Sequence, residues 1–421
     1  MRVFKFGGAS VKNAAAIKNV GSILLRYEHE PLVVVVSAMG KTTNKLEECL
    51  AHLIACNALE FYHAVDMLKE FHEEIAGELF HDAHSKVFRF IDDTFEHLKN
   101  KFDKPLAEQR SFEYDQIVSL GEVLSSFIIN EYLLELGFKS EWLDARRLIR
   151  TDNHYQEANV NWEKSRTLIT NAVEASLTKT NTFITQGFIG HTAEGFSTTL
   201  GREGSDYSAA IFAYCLDAKE VTIWKDVPGM LNADPKYFND TQLLKEISYR
   251  EAIELAYFGA SVIHPKTIKP LQNKDIPLHV KSFVDPEKEG TTIQKEGAND
   301  HAVPSFIVKK NQVLLTINSA DFSFINEESL AKIFEVFYAC RLKINLMQNS
   351  ALNFSVLVDG DKLHIEDLLA HFNPTFQCKY NESVELVTIR HYNQDTVTRM
   401  TRGKEVLIEQ RTRHTARFVL R

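Results

Sequence analysis

A lysine and two glycines stand near the start of the chain in a pattern suited to binding phosphate. Lys5 lies in a short apolar run, and Gly7 and Gly8 follow it. Two adjacent glycines let backbone N–H groups approach an anion closely, and a helix that begins after them favours negative charge. The ammonium group of Lys5 adds positive charge beside the turn. A strand that simply ends in Gly-Gly is the alternative, and this motif alone does not separate the two.

The densest group of polar residues is the loop 198–210, TTLGREGSDYSAA. Arg202 can grip a carboxylate through two parallel hydrogen bonds, and Asp206 can orient a cation. The loop is predicted to open a helix with Ser205 or Asp206 as N-cap, and a helix N-terminus attracts anions. A capped loop with a surface arginine is the alternative, but the density of functional groups favours a binding site.

A carboxylate stands inside an apolar helical pattern at 116–134. Ser119, Glu122 and Ser126 share one face of this predicted helix at three- and four-residue spacing. A carboxylate among apolar neighbours needs a partner, which an ammonium group on a substrate would supply. By itself, however, the pattern fits a solvated helix face better.

These residues must be positioned by alternating strands and helices. Buried strands are predicted from short apolar runs at 3–6, 32–36, 182–185 and 221–224. Alternation with helices predicts a mainly parallel sheet sandwiched by helices, and such sheets bind ligands at the carboxyl ends of their strands. Ser37 and Thr43 follow the second strand at that end. The segment 45–106 is predicted to be a helical excursion, and the absence of a GxxxxGK[ST] motif argues against a P-loop fold.

No metal site is predicted in the chain. The excursion contains four histidines, for which solvent-facing or capping roles are predicted: His63, His72, His81 and His84. No two of them have the paired spacing of a helical metal motif, and the five cysteines are scattered without a CxxC pair.

Length and charge limit the protein class. The 421 residues suit two or three domains, and 48 Lys+Arg against 57 Asp+Glu give a net charge of -9, which argues against binding to nucleic acid. The N-terminal apolar run is too short for a signal peptide, and no apolar stretch is expected to approach a membrane span of about 20 residues. With the unpaired cysteines, this predicts a cytoplasmic protein that contacts no membrane.

The last third of the chain predicts a second architecture. A polar run at 294–300 indicates a boundary, and strand, helix, strand, strand, helix and strand follow up to about residue 379, the order of a ferredoxin-like βαββαβ module. The remaining tail is predicted to hold strands at 384–389, 405–409 and 416–420 and no helix. The predicted domain spans are 1–295, 305–380 and 381–421.

Taken together, these stretches resemble the aspartate kinases of the amino-acid kinase family. The resemblance rests on motifs in collinear order: KFGGAS (5–10), VVVSAMGKTTN (34–44), VSLGE (118–122), TQGFIG (185–190), TTLGREGSDYSAA (198–210), DVPGM with DPK (226–236) and ELAYFGASVIHPKTI (254–268). It implies transfer of the γ-phosphate of MgATP to the side-chain carboxylate of L-aspartate, the first step toward lysine, threonine and methionine. The ferredoxin-like module resembles an ACT regulatory domain, and the tail a truncated, strand-only second ACT remnant. ACT modules commonly pair, which implies a homodimer.

The resemblance also implies roles for individual residues. Lys5 and Asp206 are the implied catalytic residues, Lys5 on the transferring phosphoryl group and Asp206 orienting an active-site lysine or Mg²⁺. The implied aspartate-binding residues are Thr43, Glu122, Arg202 and Ser205. The implied ATP-binding residues are Lys5, Gly7, Gly8, Ser10, Ser37, Lys225, Asp226, Leu231, Lys236 and Ser261.

Several positions depart from the family pattern. Glu203 stands where members usually carry glycine, Ser261 where they usually carry lysine, and Leu231 where they usually carry tyrosine. We hypothesise that Lys225 or Lys266 compensates for the lysine that Ser261 replaces.

The departures leave two alternative functions open and bear on regulation. One alternative is another amino-acid kinase, acting on glutamate or acetylglutamate, and the other is a catalytically weak kinase-like metabolite sensor, which Ser261 and Glu203 motivate. Asn345 falls where lysine-inhibited members place an acid, so weak or absent inhibition by lysine is predicted.

Overall fold

The computed structural model describes residues 1–82, 85–260, 262–297, 300–321, 323–362, 365–372 and 376–421. They form two compact units. The first comprises Met1–Met230, Leu243–Ile253 and Val262–Ala298, and the second Leu231–Gln242, Glu254–Ser261 and Asn299–Arg421. The units are therefore not contiguous in sequence, and the three predicted domain spans stay a prediction.

The first unit is built on a mainly parallel sheet. Its strands are β1 (Arg2–Phe6), β2 (Leu32–Val36), β3 (Ser140–Leu143), β4 (Thr182–Gln186), β5 (Ile189–His191), β6 (Ser197–Thr199), β7 (Glu220–Lys225), β8 (Glu246–Ser248), β9 (Leu278–Ser282) and β10 (Thr291–Gln294). Eight of them form one sheet in the order β3-β4-β2-β1-β7-β9-β10-β8, in which only the β9–β10 pair is antiparallel, while β5 and β6 form a hairpin. The four predicted strands are confirmed as β1, β2, β4 and β7.

Helices cover this sheet. They are α1 (Ala14–Leu25), α2 (Thr42–Ile54), α3 (Ala58–Leu79), α4 (Lys86–Lys99), α5 (Arg110–Glu135), α6 (Trp162–Ser176), α7 (Gly204–Cys215) and α9 (Pro265–Gln272). Helix α8 (Tyr249–Phe258) begins in this unit, and its residues from Glu254 onward belong to the second unit. The helices α2 to α5 pack in succession, and α2 to α4 form the helical excursion predicted at 45–106. Their apolar faces meet α1 and the sheet in one core, in which β2 is buried at every residue. Burial of apolar surface here is the main source of the unit's stability.

One histidine of the excursion departs from its predicted role. His72 is fully buried, its Nδ1 lies 2.7 Å from the carbonyl oxygen of Leu68, and burial lowers its pKa to about 4. The expectation of a solvent-facing or capping histidine is therefore wrong at this position, because His72 falls on the apolar stripe of α3. His84 lies outside the described residues.

Helix α5 is the central helix of the core. By length and composition it could cross a membrane, with a mean hydropathy of 1.4 in an 18-residue window, so the expectation that no apolar stretch approaches that length is wrong here. However, 83% of that window is buried inside the protein. Its apolar residues are thus accounted for by packing.

The second unit is an antiparallel sheet with three helices among the residues described. Its strands are β11 (Ser305–Ser319), β12 (Ile344–Asn349), β13 (Asn353–Asp359), β14 (Phe376–Arg390), β15 (Val406–Arg411) and β16 (Thr415–Leu420), and its helices α10 (Glu327–Ala339), α11 (Ile365–Phe372) and α12 (Gln394–Thr401). The order is β12-β13-β11-β14-β16-β15. The first four strands have the neighbours of a ferredoxin-like module, which confirms that prediction.

The C-terminal tail is not made of strands alone, and that prediction is wrong. Helix α12 lies between β14 and β15 and is capped at Asn393, whose side chain accepts a hydrogen bond from the backbone N–H of Thr396. Its apolar pattern is weak because Val397 is its only buried residue in the described structure, so the capping pair was the better signal.

Long strands join the two halves of this sheet. The end of β11 pairs with the start of β14, and the start of β11 pairs with the end of β14. The order β15-β16-β14-β11 therefore repeats the strand arrangement of the first module, with β11 and β14 shared between the two. The tail is a second ferredoxin-like half-module that shares these two strands with the first.

Candidate active site

A cavity of about 750 Å³ opens at the carboxyl ends of β1, β2 and β7. Many of the predicted site residues line it: Lys5, Gly8, Ser37, Thr43, Glu122, Arg202, Ser205, Asp206 and Lys225. They come from strands β1 and β7, helices α2, α5 and α7, and the segments after β1, β2 and β6, which are far apart in sequence. The cavity lies where parallel sheets place their ligands.

Two lysines enclose one buried carboxylate in this cavity. Asp206 on α7 is 2% exposed, and its Oδ1 lies 2.6 Å from Lys5 Nζ while its Oδ2 lies 3.2 Å from Lys225 Nζ. Burial acts to raise the pKa of Asp206, but attraction and hydrogen bonds from both lysines bring it below its ordinary value. The carboxylate stays ionised, and the cluster carries one net positive charge.

The two lysines converge because β1 and β7 are neighbours. The strands pair in parallel with Lys5 opposite Ile223. Lys225 lies two residues beyond Ile223, so its side chain is on the same face of the sheet as that of Lys5. Lys225 also donates a hydrogen bond to the carbonyl oxygen of Val262. This second contact holds the ammonium group at the cavity wall.

The turns after β1 and β2 fit closely together. The backbone N–H of Gly40 donates to the carbonyl oxygen of Gly8 at 3.1 Å. A Cβ added to Gly8 would lie 2.9 Å from the carbonyl oxygens of Ala38 and Gly40, so no larger residue fits there without a shift of backbone. Close packing between the two turns is thus one reason why position 8 requires glycine.

Glu122 projects from α5 into the cavity and lacks a charged partner. Glu122 is only 3% exposed. Its Oε1 accepts a hydrogen bond of 3.4 Å from the N–H of Ala38, and its Oε2 has no hydrogen-bond partner among the residues described. Burial raises the pKa of Glu122 to about 8, against smaller lowering effects from Ala38 and Lys5. A cationic ligand would satisfy this carboxylate.

The glycine-rich loop ends in a strained residue. Glu203 has φ 53°, in the left-handed region, and it is the N-cap of α7 without a side-chain capping bond. The prediction of Ser205 or Asp206 as N-cap is therefore wrong, because the helix begins one residue before Ser205, at Gly204. Glu203 Oε2 is buried with no hydrogen-bond partner in the described residues, and Arg202 beside it is exposed.

A third buried carboxylate, after Asp206 and Glu122, supports the wall of the cavity. Asp115 on α5 accepts hydrogen bonds from the N–H and the hydroxyl of Thr199, at 2.8 and 2.7 Å, and from the N–H of Gln156. Burial raises the pKa of Asp115 to about 6, although these bonds lower it. Asp115 thereby fixes β6 at the entrance to the glycine-rich loop, which contributes to the cavity.

Other predicted residues lie away from this cavity or cannot be compared with it. Ser10 is buried, and its hydroxyl lies 3.5 Å from the carbonyl oxygen of Trp224. Gly7 and the exposed Asp226 are not among the described residues that line the cavity. The remaining predicted ATP-binding residues belong to the second unit or, for the last one, lie outside the described residues: Leu231, Lys236 and Ser261. Their roles stay predictions.

The structure distinguishes the two candidate compensating lysines. Lys225 lines the cavity, whereas Lys266 Nζ donates to the carbonyl oxygen of Leu200 at 2.9 Å and lies 5.1 Å from the ring centroid of Tyr207. Burial lowers the pKa of Lys266. Of these two lysines, Lys225 is the one that contacts Asp206 in the described part of the chain.

Sequence reasoning missed part of the wall. Glu47, Tyr114, Gln156 and Glu157 line the cavity, and the Tyr114 hydroxyl donates to Glu47 Oε1 at 2.7 Å. Glu47 lies four residues after Thr43 on α2 and therefore on the same helix face, and this spacing could have indicated that Glu47 also lines the cavity. Gln156 and Glu157 lie in an irregular loop, where no periodic pattern exists.

Comparison with known proteins agrees with the family resemblance of the sequence motifs. Residues 1–282 match the profile of the amino acid kinase family. The chain is 31% identical over 382 residues to aspartokinase 2, chloroplastic, of Arabidopsis thaliana, covering 88% of this chain and 68% of that protein. It is 30% identical over 395 residues to lysine-sensitive aspartokinase 3 of Escherichia coli (strain K12), covering 92% and 86%.

Solved structures agree with the sequence matches. E. coli aspartokinase III in complex with lysine and aspartate superposes with a TM-score of 0.82 at 27% identity, covering 100% of this chain and 95% of that one. The same enzyme in complex with aspartate and ADP has a TM-score of 0.78 at 27% identity, with coverage of 100% and 96%.

Proposed function

The chain belongs to the amino acid kinase family and, within it, to the aspartokinases, and we infer that it transfers the γ-phosphate of ATP to the side-chain carboxylate of L-aspartate. The product is 4-phospho-L-aspartate. The observation that carries this function is the single cavity in which the Lys5–Asp206–Lys225 cluster faces the unpaired carboxylate of Glu122. It offers cationic groups for phosphate and an anionic group for the amino acid.

We propose that Glu122 binds the ammonium group of aspartate. The buried carboxylate has one unsatisfied oxygen, and a charged hydrogen bond to it is worth about 1.5–3 kcal/mol. Arg202 then binds the α-carboxylate, and the hydroxyls of Thr43 and Ser205 bind the remaining carboxylate oxygens; all three residues line the cavity. These contacts orient the side-chain carboxylate toward the phosphate site.

The phosphate side supplies positive charge and position. Lys5 and Lys225 neutralise the transferring phosphoryl group, with the turns at Gly8 and Ser37 along its path. No general base is required, because the attacking carboxylate is already ionised at neutral pH and phosphoryl transfer depends mainly on positioning and charge.

We propose that Mg²⁺ accompanies ATP. Carboxylate oxygens are ligands that Mg²⁺ prefers, and Asp206 and Glu203 bring them to the cavity wall, where Glu203 Oε2 accepts no hydrogen bond in the described part of the chain. When bound, the ion neutralises charge on the phosphate oxygens. Asp206 has a second task, which is to hold Lys5 and Lys225 in place.

Lys225 is proposed to take over from the lysine that Ser261 replaces. Its Nζ lies in the cavity and 3.2 Å from Asp206 Oδ2, whereas Lys266 is engaged with Leu200 and Tyr207. This assignment makes the catalytically weak alternative less favourable, since the cavity keeps two cations.

A coupled assay of ADP release tests the function. We expect ATP-dependent turnover with L-aspartate and little with L-glutamate, N-acetylglutamate or no acceptor. Preference for glutamate or acetylglutamate would establish another amino-acid kinase. Negligible turnover with every acceptor, together with aspartate binding by calorimetry, would establish the metabolite sensor.

Three further statements are part of the proposal. The product feeds lysine, threonine and methionine biosynthesis, the protein acts in the cytoplasm, and the ACT-like unit forms a homodimer. Weak inhibition by lysine is supported by Asn345, whose amide donates to Gln312 Oε1 and Asp359 Oδ1, both at 2.8 Å, and is therefore already engaged. Titration of activity with lysine tests this, and potent inhibition would contradict it.

A further inference from the structure

Three histidines that are distant in sequence meet at one end of the second unit's sheet. His391 directly follows β14, His414 directly precedes β16, and His301 lies four residues before β11. β14 pairs with both β11 and β16 at this end, so the three chain segments must emerge side by side. The sheet itself therefore gathers them.

The ring nitrogens are close enough to share a ligand. His301 Nδ1 lies 2.9 Å from His391 Nδ1, and one nitrogen from each of the three rings lies within 4.8 Å of the others. The backbone N–H of His391 donates to the carbonyl oxygen of His414 at 2.6 Å, which ties two of the three segments together.

We propose that His301, His391 and His414 form a binding site for a divalent transition-metal ion, with Zn²⁺ preferred. Zinc is bound by imidazole nitrogens at about 2.0–2.1 Å, which places neighbouring ligands of a tetrahedral site roughly 3.3 Å apart. The observed separations, from 2.9 Å to at most 4.8 Å, bracket that value. Three histidines leave the fourth position open to water or another ligand.

Access and backbone geometry support such a site. His301 and His414 are exposed and His391 is half-buried, so an ion can enter from solvent. His391 has φ 54°, a left-handed conformation that is uncommon for a non-glycine residue and often marks a functional position.

Two arginines adjoin the histidines in sequence, Arg390 next to His391 and Arg413 next to His414. The Arg390 guanidinium Nη1 lies 3.4 Å from Glu254 Oε2 and donates to the hydroxyl of Thr415 at 2.7 Å. Part of its charge is thus compensated within the same unit.

Metal titration of the full chain tests the site. After removal of metals with EDTA, the wild type should take one Zn²⁺ per chain in competition with a chromophoric chelator, and its Tm should rise. His301→Gln and His414→Gln, at exposed positions, should each weaken binding by at least about 10-fold, the effect expected for loss of a group at a metal site. Titration with Co²⁺ gives a second readout, because tetrahedral nitrogen coordination intensifies its visible absorption.

The matched control is His29→Gln, since the His29 side chain is 92% exposed in the other unit. It should bind Zn²⁺ as the wild type does. Equal Zn²⁺ affinity and stoichiometry in the wild type and in a variant that lacks both His301 and His414 would overturn the site, as would the absence of any bound ion in the wild type. Neither result bears on the kinase activity, so the two proposals are tested separately.

Discussion

The two sides of the active-site cavity each hold a buried carboxylate, and their surroundings differ in charge. Asp206 contacts Lys5 and Lys225, and its pKa lies below the ordinary value. Among the residues described, the N–H of Ala38 is the one hydrogen-bond donor to Glu122, at 3.4 Å, and burial raises the pKa of Glu122 to about 8.

We call the side with Lys5, Asp206 and Lys225 the prepared side, because its carboxylate already has cationic partners. We call the side with Glu122 the unfinished side, because Glu122 Oε2 has no hydrogen-bond partner among the residues described. The phosphate side carries an ion-paired cluster with one net positive charge before any ligand arrives. The aspartate side holds a buried carboxyl group without a charged partner among the residues described, and ionising it costs free energy that a cationic ligand would offset. We therefore expect binding energy on this side to come from the substrate's ammonium group.

The largest effect is expected from breaking the prepared side. Lys5→Met removes a charge that faces the transferring phosphoryl group and releases Asp206, and kcat should fall by about 10³-fold, as when a transition-state donor is removed. Steady-state kinetics with a coupled assay measures this. The exposed Lys18→Met is the control and should match the wild type. A Lys5→Met enzyme with kcat within a few-fold of the wild type would remove Lys5 from catalysis.

The unfinished side should respond in binding rather than in turnover. Glu122→Gln keeps the size of the side chain but loses the charge, so the KM for aspartate should rise by about 10- to 100-fold, the worth of a charged hydrogen bond, with a smaller change in kcat.

Glu122→Gln should weaken aspartate binding but increase the stability of the folded protein. A raised carboxyl pKa means that the folded protein retains a proton that the unfolded chain releases, so stability falls as pH rises from the ordinary value of 4.5 to about 8. Glu122→Gln removes that loss, and its Tm at pH 8 should exceed that of the wild type. A lowered Tm with an unchanged KM would show that Glu122 is structural.

A comparison of two lysines sharpens the account of the prepared side. Lys225→Met should raise the KM for ATP and lower kcat, together by about 10-fold in kcat/KM, because one charge-assisted contact to phosphate is lost. Lys266→Met should have a smaller effect, since Lys266 contacts Leu200 and Tyr207 instead. If Lys266→Met were the more damaging change, the assignment of the compensating lysine would be reversed.

The pH dependence of activity gives a further test of the aspartate side of the cavity. Glu122 must lose its proton before it pairs with the substrate ammonium group, so kcat/KM for aspartate should decline as pH falls below about 8. In Glu122→Gln this decline should disappear. An identical profile in both proteins would assign the titration to another group.

The smallest effect is expected at Glu203, between the two sides. Its left-handed backbone costs about 1 kcal/mol, which Glu203→Gly should recover as a higher Tm. Glu203→Ala is the matched control, because it removes the carboxylate but keeps the backbone cost. Equal Tm values for the glycine and alanine variants would show that the carboxylate, not φ, limits stability.

Local motifs predicted much of the first unit. A strand that ends in a glycine turn is recognised within about ten residues of sequence, so β1, β2 and β7 and the turn residues Gly8 and Ser37 could be placed at one edge of the sheet. Burial of Glu122 could not, because the spacing of polar residues on α5 is the same whether that face meets solvent or a cavity. Helix α12 escaped prediction since it buries only Val397 among the described residues.

The sequence by itself determined the strand-and-turn motifs, the family and the residue types at the site, because these depend on short-range patterns. Tertiary structure decided which lysine reaches Asp206, since that depends on β7 lying beside β1 with Phe6 opposite Trp224. It also decided that His301, His391 and His414 meet, because pairing of β14 with β11 and β16 joins segments that share no spacing signal. Distances between side chains follow from packing of elements that are remote in the chain, and no local pattern records them.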